Sequence, residues 1–135
     1  LKEYFPKKRI IDLELKKNDK VPYEGILHLD CTFNPVGKDK CIIYKDGFVD
    51  ESDYNLIIDI FGEENCFHVT AEEMFEMFPN IFSISPEIVV SDKAFTRMNN
   101  HLRNEWGMTV EEIPYREISK MGGLLRCSTM PLVRE

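Results

Sequence analysis

Twice along this chain the hydrophobic pattern runs strand, strand, helix, strand, and that order constrains the fold more than any single motif. Residues 26–33 and 41–44 read as strands, the second closed by the turn pair Asp46-Gly47. Ser52 is placed to cap a helix that reaches Phe61, with Leu56, Ile57, Ile60 and Phe61 on one face and Gly62 at its end. Residues 66–69 return as a strand. Thr70 and Glu73 then have capping-box spacing for a short connecting helix that Pro79 stops. The order recurs with strands at 81–85 and 88–91 around Pro86. A helix marked by Phe95, Met98, Leu102 and Trp106 follows, ended by Gly107, and then a strand at 108–113. Segments alternating in this way predict an α/β fold built of strand–strand–helix–strand modules.

Partial units flank the two complete ones. Residues 1–5 read as the end of a helix stopped before Pro6, and residues 10–15 as a strand with Ile11, Leu13 and Leu15 on one face. Residues 16–25, polar and containing Pro22, read as a loop. At the other end, Arg116 to Met121 reads as a helical turn and Leu124 onward as another strand. A closed architecture would need more material at both edges. It would come from further chain or, since open strand edges seek partners, from a second copy in a homo-oligomer. Because the first residue is Leu1, the expectation is that residues 1–135 are part of one domain in a longer polypeptide.

Composition narrows the classes of function. At 43% hydrophobic and 30% charged residues, the chain suits one globular domain with its own core. The formal charge of −7, with lysines and arginines scattered among acids, is the wrong balance for a nucleic-acid partner. No apolar run approaches the length of about 18 residues that would span a membrane. Cys31, Cys41, Cys66 and Cys127 form no CxxC pair and read as reduced thiols, which places the chain in a cytoplasmic compartment.

Two segments carry residues with chemical capability. In Gly122-Gly123-Leu124-Leu125-Arg126-Cys127-Ser128-Thr129-Met130-Pro131, paired glycines permit a backbone path that other residues resist, and they let a ligand approach the main chain. Cys127 then fits a pocket wall or the core equally well on local sequence. In His28-Leu29-Asp30-Cys31-Thr32-Phe33-Asn34, strand alternation would put His28 and Asp30 on one side and Leu29 and Cys31 on the other. That pairing offers a proton carrier beside a cation ligand. As metal ligands, His28 and Cys31 have no zinc-type spacing to Cys41, Cys66 and His68, so no metal is expected. His68 reads as structural, His101 as solvated, and Glu72, Glu73 and Glu76 as a solvated face behind an N-cap.

Together these segments, HLDCTFNPVG from His28 to Gly37 and GGLLRCSTMPLVRE from Gly122 to Glu135, resemble the amidinotransferase and arginine deiminase superfamily, the penteins. Members share a histidine-x-aspartate segment and a C-terminal cysteine after a glycine-rich turn. The first segment looks closest to glycine amidinotransferases, the second to arginine deiminases. The resemblance implies a five-bladed α/β propeller, of which residues 1–135 would be the C-terminal part of one catalytic domain. It implies that Cys127 attacks a guanidinium carbon, that His28 serves as acid and then base, and that Asp30 holds the guanidinium nitrogens. Asn34, Gly122 and Gly123 would line the site. The implied ligand is a small cationic guanidino compound such as arginine, with no cofactor. The implied reaction is hydrolysis to a ureido product; transfer of the amidino group to an amine, or binding without catalysis, are the alternatives. Acidic groups that the family supplies from its N-terminal half have no counterpart among these residues, so the isolated chain is expected to be inactive.

Overall fold

The computed structural model describes residues 1–130 and Leu132; Pro131, Val133, Arg134 and Glu135, within the C-terminal motif, lie outside the described residues. Strand β1 (Phe33–Val36) pairs antiparallel with β2 (Lys40–Ile43), Phe33 opposite Ile43. Helix α1 (Glu51–Phe61) crosses over to β3 (Cys66–His68), which lies parallel to β2. A short α2 (Ala71–Phe75) leads to the second unit. There β4 (Phe82–Ser83) pairs antiparallel with β5 (Ile88–Asp92), and α3 (Thr96–Asn104) crosses to the parallel β6 (Thr109–Ile113). Two three-stranded sheets with the same order and the same pairing sense result, so the repeat expected from periodicity is a repeat of topology.

The middle strand of each sheet is the apolar one. Ile42 in β2 and Val89 in β5 are fully buried, as are Phe95, Met98 and Leu102 along one side of α3. These residues belong to a single core that joins the two units. Gly37, at φ 62°, turns β1 into β2 against the second unit; a Cβ there would lie 2.5 Å from Met108 Cε and 2.6 Å from Pro86 O. Glycine is required for both the conformation and the approach. The Thr70–Glu73 capping box is present in both directions.

Several local expectations are corrected. Asp50, not Ser52, caps α1, its side chain accepting from Ser52 N at 2.8 Å. The packed face of α1 is Tyr54, Ile57, Ile58 and Phe61, which leaves Ile60 half exposed. The i, i+3, i+4, i+7 stripe begins at Tyr54, whose ring packs beside Phe48. Residues 1–5 form a turn, and residues 10–15 contribute one bridge, Leu15 to Phe48, in place of a strand. Residues 26–32 are not a strand and the strand begins only at Phe33, because Leu29–Cys31 closes a 3-10 turn with Cys31 N donating to His28 O and Thr32 N to Leu29 O. Nor, among the described residues, is there a strand from Leu124. Ser128 N donates to Leu124 O, while the Ser128 and Thr129 hydroxyls bond to the carbonyls of Leu124 and Leu125, so local bonds displace a ladder. The acidic face behind Thr70 is partly paired, Glu73 with Arg97 and Glu76 with Arg116.

His101 is half-buried and not simply solvated. It packs between Phe67 and Trp106, with ring centroids 4.9 Å from each, and burial pushes its imidazole below the usual histidine range. The unfolded chain therefore binds a proton that the folded chain resists. The contribution of His101 to stability is full above about pH 6.5 and falls as the solution is acidified through that range. Urea unfolding at pH 7.5 and pH 5.5 should show a smaller acid loss in His101→Phe than in the parent; an equal loss would mean that the ring stays neutral in neither state. Among the described residues, no helix is long and apolar enough to cross a membrane.

Candidate active site

The backbone brings His28 and Asp30 together by a route that strand alternation does not describe. His28 has extended dihedrals at the entrance to the Leu29–Cys31 turn. The tightness of that turn leaves a His28 ring nitrogen, an Asp30 carboxylate oxygen and Cys31 Sγ within 4.8 Å of one another. Cys31 thus does not point away from the other two. The segment is braced from behind by Lys17, whose Nζ donates to Ile26 O at 2.6 Å and Leu27 O at 2.7 Å. His28 is exposed and Asp30 half-buried. Cys31 is 1% exposed, and burial pushes its thiol up to about 11. Held protonated, it is a poor nucleophile and a poor metal ligand, although the three donors together have the proximity a divalent ion would need.

Cys127 approaches from the far end of the chain. Gly122, at φ 86°, ends the 3-10 helix Arg116–Met121 in the left-handed region. At Gly123 a Cβ would lie 2.8 Å from Cys127 Cβ and 3.1 Å from its Sγ, so the missing side chain is what gives the thiol its place. Cys127 sits in the turn over residues 125–128 and is the exposed cysteine; the other three are buried. Its Sγ lies 3.6 Å from Asp30 Oδ2 across 97 residues of sequence. Asp30 therefore links the imidazole and the thiol, with a His28 ring nitrogen within 4.8 Å of its carboxylate and Cys127 Sγ 3.6 Å from its Oδ2. A groove of about 630 Å³ adjoins the site at Cys31 and Gly122, between Leu27 and Phe75.

Asn34, expected at the wall of the site, is buried in β1, and its amide donates to Pro79 O at 2.7 Å and Ile81 O at 2.9 Å. The residue between those two carbonyls is Asn80, which no motif reading singles out. Asn80 is fully buried and its side chain touches both halves of the site, with Nδ2 3.2 Å from Cys127 Sγ and 3.3 Å from Asp30 O. An asparagine after a proline reads as a turn residue, so the local sequence holds no signal for this placement.

A family model described as arginine deiminase matches residues 47–134. The uncharacterized protein YkgA of Bacillus subtilis is 30% identical over 99% of this chain and 43% of its own length. The arginine deiminase of Borrelia recurrentis is 39% identical over 48% of this chain and 16% of its own. Among solved structures, the N-terminal domain of ArgZ, an arginine dihydrolase from cyanobacteria, superposes with a TM-score of 0.80 at 21% identity, over 98% of this chain and 45% of that one. A single-residue variant of that domain has also been solved covalently bonded to a reaction intermediate. SxtG, an amidinotransferase from Microseira wollei, superposes with a TM-score of 0.71 at 17% identity, over 99% of this chain and 37% of its own. The two-module α/β arrangement is thus that of the pentein domains. Within that class the chain belongs to the arginine deiminase family. It spans less than half the length of these relatives.

Proposed function

We propose that the chain is the C-terminal part of one catalytic domain in a guanidino-group hydrolase of arginine deiminase type. Cys127 is its nucleophile, His28 its acid and base, and Asp30 the anchor for the substrate cation. The observation that carries this reading is the approach of Cys127 Sγ to Asp30 Oδ2 at 3.6 Å, beside His28, from opposite ends of the chain. The covalent intermediate solved in the ArgZ domain supports a covalent route in a relative of the same fold.

The chemistry follows from these three groups. A planar guanidinium donates paired hydrogen bonds to the Asp30 carboxylate, which fixes its orientation. Its positive charge beside the sulfur favours the thiolate, the reactive form. Cys127 Sγ attacks the guanidinium carbon. The carbon–nitrogen bond to the leaving amine breaks, and that amine takes a proton from His28. Neutral His28 then takes a proton from water as the water oxygen attacks the thiouronium carbon. The carbon–sulfur bond breaks, the thiolate is restored, the remaining hydroxyl proton passes to the released ammonia and the ureido product leaves. For arginine, one water is consumed and one citrulline and one ammonia are released.

An amidinotransferase would share every step up to the thiouronium, and the fold likeness to SxtG keeps that as the second reading. The complete polypeptide, incubated with arginine and other guanidines, is expected to release a ureido product and ammonia in equal amounts. Guanidinoacetate on addition of glycine would select the transferase instead. No product from any guanidine would overturn both in favour of a binding module.

A further inference from the structure

All four hydrogen-bonding positions of the Asn80 carboxamide are occupied. Oδ1 accepts from Leu124 N at 2.9 Å and from Cys127 N at 3.1 Å. Nδ2 donates to Asp30 O at 3.3 Å and to Cys127 Sγ at 3.2 Å. The orientation is dictated by its partners. Flipping the amide would aim its N–H groups at two backbone N–H groups, so only Nδ2 can face the sulfur. The backbone is held as well, because Asn80 O accepts from Arg126 N at 3.0 Å and Asn34 grips the carbonyls on either side. A fully buried amide with no freedom to turn presents a fixed N–H to an exposed thiol.

We infer that Asn80 is the positioning residue of the nucleophile, its Oδ1 fixing the turn that carries Cys127 and its Nδ2–H holding the sulfur and stabilising it as thiolate. A neutral thiol is a weak acceptor, whereas a thiolate is a strong one. The N–H···S bond therefore strengthens when the proton leaves for solvent, and the charged form is favoured. Asp30 Oδ2 lies 3.6 Å from the same sulfur and is the acceptor that a substrate cation would engage. The inference rests on the reading of Cys127 as nucleophile, but it concerns the ionisation of the thiol and not the identity of the substrate.

Asn80→Asp separates the two functions of the amide. The carboxylate still accepts from Leu124 N and Cys127 N, but it replaces the donor at the sulfur with an acceptor. In the complete polypeptide, the pH midpoint of Cys127 thiolate formation is read by ultraviolet absorbance against a Cys127→Ser reference and by the pH profile of iodoacetamide labelling. It should rise by about one unit or more, and labelling below the midpoint should slow by roughly tenfold. An unmoved midpoint in folded Asn80→Asp overturns the inference. Should that variant not fold, the parent protein decides. One Asn80 Nδ2 proton should move downfield in NMR with the same midpoint as the thiolate, and not in Cys127→Ser; a flat signal overturns it. Neither readout requires turnover. A protein inert towards guanidines with a shifted midpoint sinks only the proposed reaction, and an active one with an unmoved midpoint sinks only the role of Asn80.

Discussion

Serine in place of Cys127 is expected to lower turnover of arginine by roughly 10³-fold or more in the complete polypeptide, with little change in substrate binding. A hydroxyl is far less acidic than a thiol, and no neighbouring group here removes its proton strongly enough to compensate. The exchange is small in volume, and Gly123 leaves room for either atom. Asp30 keeps its carboxylate for the guanidinium, so the loss should fall on kcat and leave the dissociation constant close to the parent value. Steady-state kinetics with calorimetric binding of arginine measure the two separately. Turnover within about tenfold of the parent would remove Cys127 from the mechanism, and a lost binding signal would show that the thiol holds the substrate as well as attacking it.

The largest effect on stability is expected at Phe95. Its side chain is fully buried, and its ring stacks on Phe78 with centroids 3.9 Å apart where α3 begins. Truncation to alanine removes this contact and leaves a cavity in the core shared by both modules. Such changes cost about 3–5 kcal/mol. Against a typical total of about 5–15 kcal/mol, that loss should be plain in urea unfolding as a lower midpoint with an unchanged slope. A loss below about 1 kcal/mol would mean that the ring does not fill the core as its burial indicates. Because Phe95 has no part in the proposed chemistry, Phe95→Ala should keep its activity at temperatures where it remains folded.

The parts of the fold legible in sequence were those decided by neighbours a few residues apart. Phe95, Met98 and Leu102 mark α3 because a helix returns to the same face every three or four residues, and all three are fully buried. Thr70 and Glu73 mark the start of α2 because a capping box closes within one turn. The segment before β1 misled for the same reason. Polar and apolar residues alternate from His28 to Cys31 as they would in a strand, but that pattern also suits a turn that buries one side chain. Distant contacts settle the matter. Thr32, fully buried, bonds to the backbone of Tyr44 from both its carbonyl and its hydroxyl, and this ends the turn and starts the sheet.

The candidate site divides along the same line. A histidine, an aspartate and a cysteine capable of the chemistry are visible as residue types, and the paired glycines signal an unusual backbone path. Which of four cysteines is open to solvent is decided only by packing, as burial closes Cys31, Cys41 and Cys66 and leaves Cys127 exposed. Asn80 is the clearest case, since its side-chain partners lie 44 to 50 residues away. Local preference acts within a turn or two of the chain and so determines the order of elements and the chemical groups they carry. Hydrogen bonds and cavities formed between distant segments exist only once those elements have packed, and they decide which groups meet.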